Sequence, residues 1–303
     1  MNSSSDSPFQ VLLYYRYVHI PDAADYLERH RELCSRLELK GRILIGEEGI
    51  NGTVSGETPS TEAYMKALHE DPITADIVFK IDPAEDHVFP KLSIKLRHEI
   101  VTLGLPDEAD IDPNQITGER LSPVEFYEAM QEEDSVIIDG RNLYEADLGR
   151  FKGAICPSVD NFREFPGWLR DHADELKGKK LLTYCTGGIR CEKLSGFLRR
   201  EGFERVYQLE GGIVTYGKDP EVRGRDFEGL CYVFDERVGV EVNRTETRRV
   251  ISRCRHCGIE ESRYGNCRLP ECNAQIFVCP ACREKIGLFC GEDCHEDFCA
   301  KSP

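Results

Sequence analysis

Two hydrophobic periodicities run through the chain, and both fade before its end. Phe9 to Ile20 is an apolar, aromatic and β-branched run that predicts a strand. From Ala23 to Leu39, apolar residues recur at helical spacing (Ala23, Tyr26, Leu27, Leu33, Leu37) and predict a helix. Segment 41–56, GRILIGEEGINGTVSG, sets two short apolar runs around a Gly-rich turn, a hairpin pattern. Thr58 to Glu70 predicts a second helix, with Ser60 or Thr61 as N-cap. Ile77–Ile81 and Leu92–Leu103 predict further strands. The order β-α-β-β-α-β over 9–105 predicts a ferredoxin-like (acylphosphatase-like) α+β domain.

Residues 106–119, rich in Pro, Asp, Asn and Gly, have linker composition. Over 120–223 the pattern changes. Ser122-Pro123 followed by Glu125 opens a helix. Val136–Asp139, Leu181–Tyr184 and Val206–Leu209 are short apolar runs suited to buried strands, and Arg190–Gly202 is a helix closed by glycine. Strands alternating with helices predict an α/β domain. Residues 224–303 have few periodic apolar segments and many cysteines. Such a piece buries little core and needs metal to hold a fold.

Composition adjusts this picture at four points. A length of 303 residues fits two or three domains. No apolar run reaches the ~18 residues of a membrane span. The leading MNSSSDSPFQ lacks the basic-then-apolar order of a signal peptide and reads as a short disordered lead. The net charge of -16 argues against a general nucleic-acid binder. Against that average, Arg244, Arg248, Arg249, Arg253 and Arg255 crowd one stretch, which is either a solvated face or a phosphate-contacting patch. Of the 14 cysteines, nine fall between 254 and 299. Without an export signal the expected compartment is reducing and cytoplasmic, where clustered cysteines bind metal more often than they pair.

Cys185 carries the sharpest chemistry. In LLTYCTGGIRCE a buried strand ends in Cys185, a short loop follows, and a helix begins near Arg190. Backbone N–H groups of Thr186, Gly187, Gly188, Ile189, Arg190 and Cys191 can converge at a helix N-terminus, cradling an anion and lowering the thiol's pKa. Gly187 and Gly188 permit the turn, and Arg190 adds a permanent charge. Cys191 is read as a small residue packing the first helical turn, the loop holding its sulfur away from Cys185. The alternative is a resolving thiol. In the tail, Cys254-x2-Cys257, Cys267-x4-Cys272, Cys279-x2-Cys282 and Cys290-x3-Cys294 have metal-ligand spacing. Eight thiolates suit two structural zinc ions. Spacing leaves open whether alternate pairs interleave or neighbouring pairs form beads, and His256, His295 and Cys299 are spare donors. The acidic turn Glu47-Glu48-Gly49-Ile50-Asn51-Gly52 reads as hairpin geometry, with a substrate role as the alternative, and Trp168 with Phe162 and Phe165 as core or pocket wall, with base stacking as the alternative.

The Cys185 loop, with Val136–Arg141, Tyr144-Glu145, Gly149–Ala154 and Phe203–Ile213, resembles the rhodanese family. That resemblance implies a persulfide-bearing Cys185, an anion-binding Arg190 and a structural Asp139–Arg141 pair. Segment 41–56, the loop, Val233–Arg237 and the Cys254-Arg-His-Cys-Gly258 tail, taken in order, resemble the rhodanese-domain tRNA uridine(34) hydroxylase family (TrhO, YceA-like) over nearly the whole chain. This second resemblance implies dioxygen-dependent 5-hydroxylation of the wobble uridine. The tRNA anticodon loop would be the partner and dioxygen the co-substrate. The thiolate and its anion cradle suggest Cys185 and Arg190 as the catalytic pair, Cys185 adding to C6 of uracil and Arg190 with the loop amides holding the enolate oxygen. No organic cofactor site is evident. Sulfurtransfer through Cys185 is the alternative enzyme reading, and a zinc-held interaction module with a vestigial loop is the third.

Overall fold

The computed structural model describes residues 7–106 and 109–301. All but the last residues of the expected N-terminal lead lie outside that range. The first unit runs β1 (Phe9–Tyr17), α1 (Ala23–Arg36), β2 (Lys40–Gly46), β3 (Gly49–Glu57), α2 (Thr58–Glu70), β4 (Lys80–Ala84) and β5 (Leu92–Leu96). Its sheet has the order β4-β1-β3-β2-β5, with β5 parallel to β2 and the other neighbours antiparallel. The ferredoxin-like expectation holds, with one strand added at the edge. Alternation sends Leu12, Tyr14, Ile43, Ile45, Ile50 and Val54 into a core with Tyr26, Leu27, Tyr64 and Leu68 of the helices. Leu13 and Tyr15 of β1, Arg42 and Leu44 of β2, and Asn51 and Thr53 of β3 belong to the other face, in the rows Leu13–Thr53–Arg42 and Tyr15–Asn51–Leu44.

Several expected boundaries move. Helix α1 stops at Arg36, because Leu37 caps it and Glu38 turns to φ 53°. Helix α2 starts before both expected caps. Glu57 is its N-cap and Pro59 lies in its first turn, while Thr61 bonds back to the carbonyl of Thr58. The strand expected at 77–81 sits at 80–84, since the Ile77 N–H closes a turn onto Thr74. The strand expected to reach Leu103 ends at Leu96, beyond which side chains of the hairpin bind Ile100.

The second unit runs β6 (Glu119–Leu121), α3 (Pro123–Met130), β7 (Ser135–Asp139), α4 (Leu143–Leu148), β8 (Gly149–Phe151), α5 (Phe165–Asp171), α6 (Ala173–Leu176), β9 (Lys180–Tyr184), α7 (Ile189–Arg200), β10 (Val206–Leu209) and α8 (Gly212–Lys218). Ser122 and Glu125 form a reciprocal capping box on α3. The sheet β6-β10-β9-β7 is parallel throughout. Phe162 and Phe165 are core, and Trp168 packs against them, stacked on His172 at 4.2 Å. Within the expected linker, Ile111 is buried in the second unit's core, and Thr117 and Gly118 bond to Glu192 and Ser195.

The last part holds β11 (Phe227–Tyr232), β12 (Gly239–Glu241), β13 (Tyr264–Asn266), β14 (Gln275–Phe277), α9 (Pro280–Ile286) and α10 (Glu292–Lys301). Strand β11 pairs with β8, and Phe227, Cys231 and Val242 join the core of the second unit. The stretch 227–242, assigned by composition to the cysteine-rich tail, therefore packs with the α/β unit. No described helix is long and apolar enough to cross a membrane.

The first unit docks on the second through its helix-free sheet face. Lys193 of α7, fully buried, meets Glu48 (2.8 Å), Glu99 (2.8 Å) and Asp110 (3.1 Å). Tyr15 donates to Glu192 (3.0 Å), which also takes a bidentate bond from Arg120 (2.9 Å to each oxygen). The acidic turn is thus more than hairpin geometry, because Glu48 is one jaw of the contact between the units.

Candidate active site

Strand β9 is central in a parallel sheet and delivers Cys185 at its carboxyl end, where such sheets place their ligand sites. Helix α7 opens four residues later, with Gly188 (φ 101°) at its N-cap. A side chain at Gly188 would also lie 2.9 Å from the Tyr15 hydroxyl, so this turn requires glycine for space as well as for conformation. The Gly188 N–H donates to Cys185 Sγ at 3.1 Å. Burial pushes the thiol up. The Cys191 thiol, the Arg190 charge and the N–H groups of Cys191 and Arg190 outweigh it and bring Cys185 down to about 6. Burial and the neighbouring sulfur push Cys191 far the other way, so Cys191 stays a thiol and donates to Cys185. Cys191 is fully buried in the first turn of α7, where its thiol acts on the ionisation of Cys185.

Arg190 is oriented by a residue that sequence reasoning missed. Its two terminal nitrogens reach the buried Glu145 carboxylate at 2.6 and 3.0 Å, and one lies 3.4 Å from the Thr186 hydroxyl. Arg190 therefore lends Cys185 its charge while its end nitrogens are engaged elsewhere. A signal was present: Asn142-x-x-Glu145 is a capping-box pattern, and Glu145 occupies that position on α4. Asp139 and Arg141 form a wholly buried pair (2.6 Å) that Tyr184 also joins (2.6 Å), a structural rather than catalytic arrangement.

A pocket of about 330 Å3 lies over Cys185. The loop 185–190 makes one wall, and the helix-free sheet face makes the opposite one with Leu13, Tyr15, Arg42, Leu44, Asn51 and Thr53. Phe234 stands at the mouth, 44% exposed, in a tight turn braced by the Asp235–Arg237 ion pair (2.7 Å). This volume is at the small end of ligand sites and suits a single heterocycle. Of the sheet residues only Asn51 lay in a turn that the sequence drew attention to, and there as hairpin geometry; Trp168 does not line the pocket.

The four cysteine pairs assemble as two interleaved groups: Cys254, Cys257, Cys279 and Cys282, and Cys267, Cys272, Cys290 and Cys294. In each, all four sulfurs lie within 4.8 Å of one another. Tetrahedral zinc with Zn–S near 2.3 Å requires S···S of about 3.8 Å. The observed Cys257···Cys279 (3.7 Å), Cys272···Cys290 (3.6 Å) and Cys290···Cys294 (3.4 Å) separations fit a metal of that kind. His256 instead bonds the Phe289 carbonyl (2.9 Å), and His295 and Cys299 belong to neither group. The five arginines from Arg244 to Arg255 are exposed, but none lines the Cys185 pocket. Arg248 pairs with Glu241 (2.5 Å) and Arg249 with Glu228 (3.9 Å). Arg253 and Arg255 bond the carbonyls of Gly258 (2.9 Å) and Cys290 (3.2 Å).

A low-pKa cysteine between a parallel strand and a glycine-capped helix, with a buried Arg–Glu pair behind it, defines a protein of the rhodanese class. The chain matches the rhodanese-like domain family over 122–219, a UPF0176 acylphosphatase-like domain over 9–100 and a rhodanese C-terminal family over 228–295. It is 53% identical over 291 residues to a tRNA uridine(34) hydroxylase of Bacillus mycoides, covering 96% of this chain and 90% of the relative. It is equally identical over 286 residues to one from Bacillus licheniformis, covering 94% and 88%. The chain belongs to the tRNA uridine(34) hydroxylase family. Among solved structures it is similar to a rhodanese-like domain from Anabaena sp., at 19% identity and TM-score 0.31, covering 38% of this chain and 81% of that one.

Proposed function

We propose that this chain hydroxylates uridine 34 of tRNA at C5, using dioxygen and the Cys185 thiolate. The observation that carries the proposal is the Cys185 sulfur, bonded by the Gly188 N–H at a helix N-terminus and facing a pocket of one heterocycle's size, in a chain half identical to hydroxylases of that nucleoside. In this account the thiolate adds to C6 of uracil and its electron pair moves to C5, with negative charge on O4. C5 takes one oxygen atom. Loss of the C5 proton then expels the thiolate and restores the double bond. The other oxygen atom of dioxygen leaves as water, which consumes two protons and two electrons from an external reductant such as a small thiol. The wobble base must leave its stack to enter the pocket, which an anticodon loop makes inexpensive. The proposed catalytic residues are Cys185, as nucleophile, and Arg190, as the charge that keeps it ionised. The loop 186–191 is the N–H cradle.

Each four-cysteine group is proposed to hold one structural zinc. Arg244, Arg248, Arg249, Arg253 and Arg255 are proposed to meet the tRNA backbone, and the protein to work in the cytoplasm. The nucleoside profile of tRNA from a deletion strain tests the reading. Loss of 5-hydroxyuridine and its derivatives supports it, whereas loss of a thiolated base points to persulfide transfer by Cys185, and an unchanged profile refutes both.

A further inference from the structure

The pocket's two walls differ in what they have left to offer a ligand. On the loop wall, the terminal nitrogens of Arg190 are committed to Glu145 and the Gly188 N–H to the Cys185 sulfur, so what remains for a ligand is the backbone N–H groups of Thr186, Gly187 and Ile189 and no free side-chain charge. The O4 charge that builds as the thiolate adds to C6 thus finds backbone N–H groups but no uncommitted cation there. The sheet wall is the reverse. Arg42 is exposed and lines the pocket, and its side chain makes no ion pair or hydrogen bond among the described residues, its charge acting on the nearby Tyr232 phenol. Its neighbours on that face are Lys40 and Leu44 along the strand, Thr53 and Ser93 across it on either side and Asn51 on the diagonal, and none of them is an acid. Diagonal neighbours in an antiparallel pair are about 7–8 Å apart, within reach of a long side chain, so Arg42 and Asn51 can address the same ring.

Asn51 is held in one orientation. Its amide nitrogen donates to the Ile100 carbonyl at 3.1 Å, a bond only the nitrogen end can make. That leaves the Asn51 oxygen as the end available to a ligand. An arginine donor beside an amide acceptor complements one edge of uracil, where a carbonyl oxygen flanks an N–H. It mismatches cytosine, which presents an amino group and a bare ring nitrogen at the same positions. Phe234, at the mouth, supplies an aromatic face for the ring.

Resting on the hydroxylase reading above, we propose that Arg42 is the catalytic cation for O4 and that Asn51 reads N3–H, so that the N-terminal domain selects uracil and stabilises its enolate. Removing a comparable oxyanion donor from other enzymes costs about 10²–10³-fold in kcat.

The test uses the full-length protein and anticodon stem-loop RNA carrying uridine, 4-thiouridine or 3-methyluridine at position 34. Product is read by nucleoside mass spectrometry. Arg42→Ala is expected to lower kcat by about 10²-fold or more on uridine, with Arg42→Lys recovering part of the loss. The 4-thio substrate, whose sulfur is a poor acceptor, should slow the wild type and add little to the loss in Arg42→Ala. The 3-methyl substrate should behave the same way with Asn51→Ala. Alkylation of Cys185 in both variants should match wild type, which separates substrate recognition from damage to the loop. Wild-type kcat in Arg42→Ala, or penalties that multiply independently, would overturn the proposal. A wild-type protein that hydroxylates none of the three RNAs would instead overturn the hydroxylase reading beneath it.

Discussion

Replacing Cys191 by alanine isolates one contribution to the state of Cys185. An ordinary thiol at 9.0 brought to about 6 corresponds to roughly 4 kcal/mol in favour of the thiolate. The Cys191 S–H bond is the largest of the opposing influences after burial. Hydrogen bonds to charged groups are worth about 1.5–3 kcal/mol. Losing this one should move the Cys185 midpoint from about 6 to roughly 7–8. Cys191→Ser keeps a donor and should stay near wild type. The assay is the pH dependence of Cys185 alkylation by iodoacetamide, followed on the peptide that carries it. The rate at one pH is a poor readout, because a thiolate of higher pKa is the better nucleophile and offsets its smaller ionised fraction. A midpoint in Cys191→Ala that stays near 6, or shifts equally in alanine and serine variants, would refute the assignment of Cys191 as donor.

The same ionisation sets the acid limb of activity. Cys185 must lose its proton to act, so turnover should fall as pH drops through about 6, and Cys191→Ala should carry that limb upward by the shift seen in alkylation. Glu145→Gln removes the carboxylate that anchors Arg190 and should lower kcat more than it changes KM, measured by steady-state hydroxylation of anticodon stem-loop RNA. Lys193→Met strands Glu48, Glu99 and Asp110 without their cation. It should destabilise the protein by about 3–5 kcal/mol at pH 7 in urea unfolding, and by less in acid, where Glu48, whose pKa burial already raises, takes up a proton and no longer needs the cation. Metal analysis of reduced, purified protein should find about two zinc ions per chain, and chelation should abolish the circular dichroism contributed by α9 and α10.

What the sequence revealed follows the range of the interactions concerned. The Cys185 loop is contiguous, so strand, turn glycine and helix start could be read together, and the same holds for the Ser122–Glu125 cap. The cysteine pairs were equally plain. Their interleaving was not, because spacing within a pair says nothing of which pairs meet in space. Glu145 escaped notice because its capping pattern accounts for it locally, while its partner Arg190 lies 45 residues on. The sheet wall was least visible. Arg42 and Asn51 look like ordinary outward positions of a hairpin until a second domain covers that face, and Phe234 joins them from the far end of the chain. Lys193 is similar, a charge inside a helix whose three acids come from three other segments.

The most direct measurement is hydroxylation of uridine 34 under 18O2 by purified wild-type protein and Cys185→Ser, in the presence of a thiol reductant. Wild type should yield 5-hydroxyuridine carrying one 18O atom, and Cys185→Ser should yield none. Full labelled product from Cys185→Ser, or a thiolated base in place of the hydroxylated one from wild type, would contradict the account.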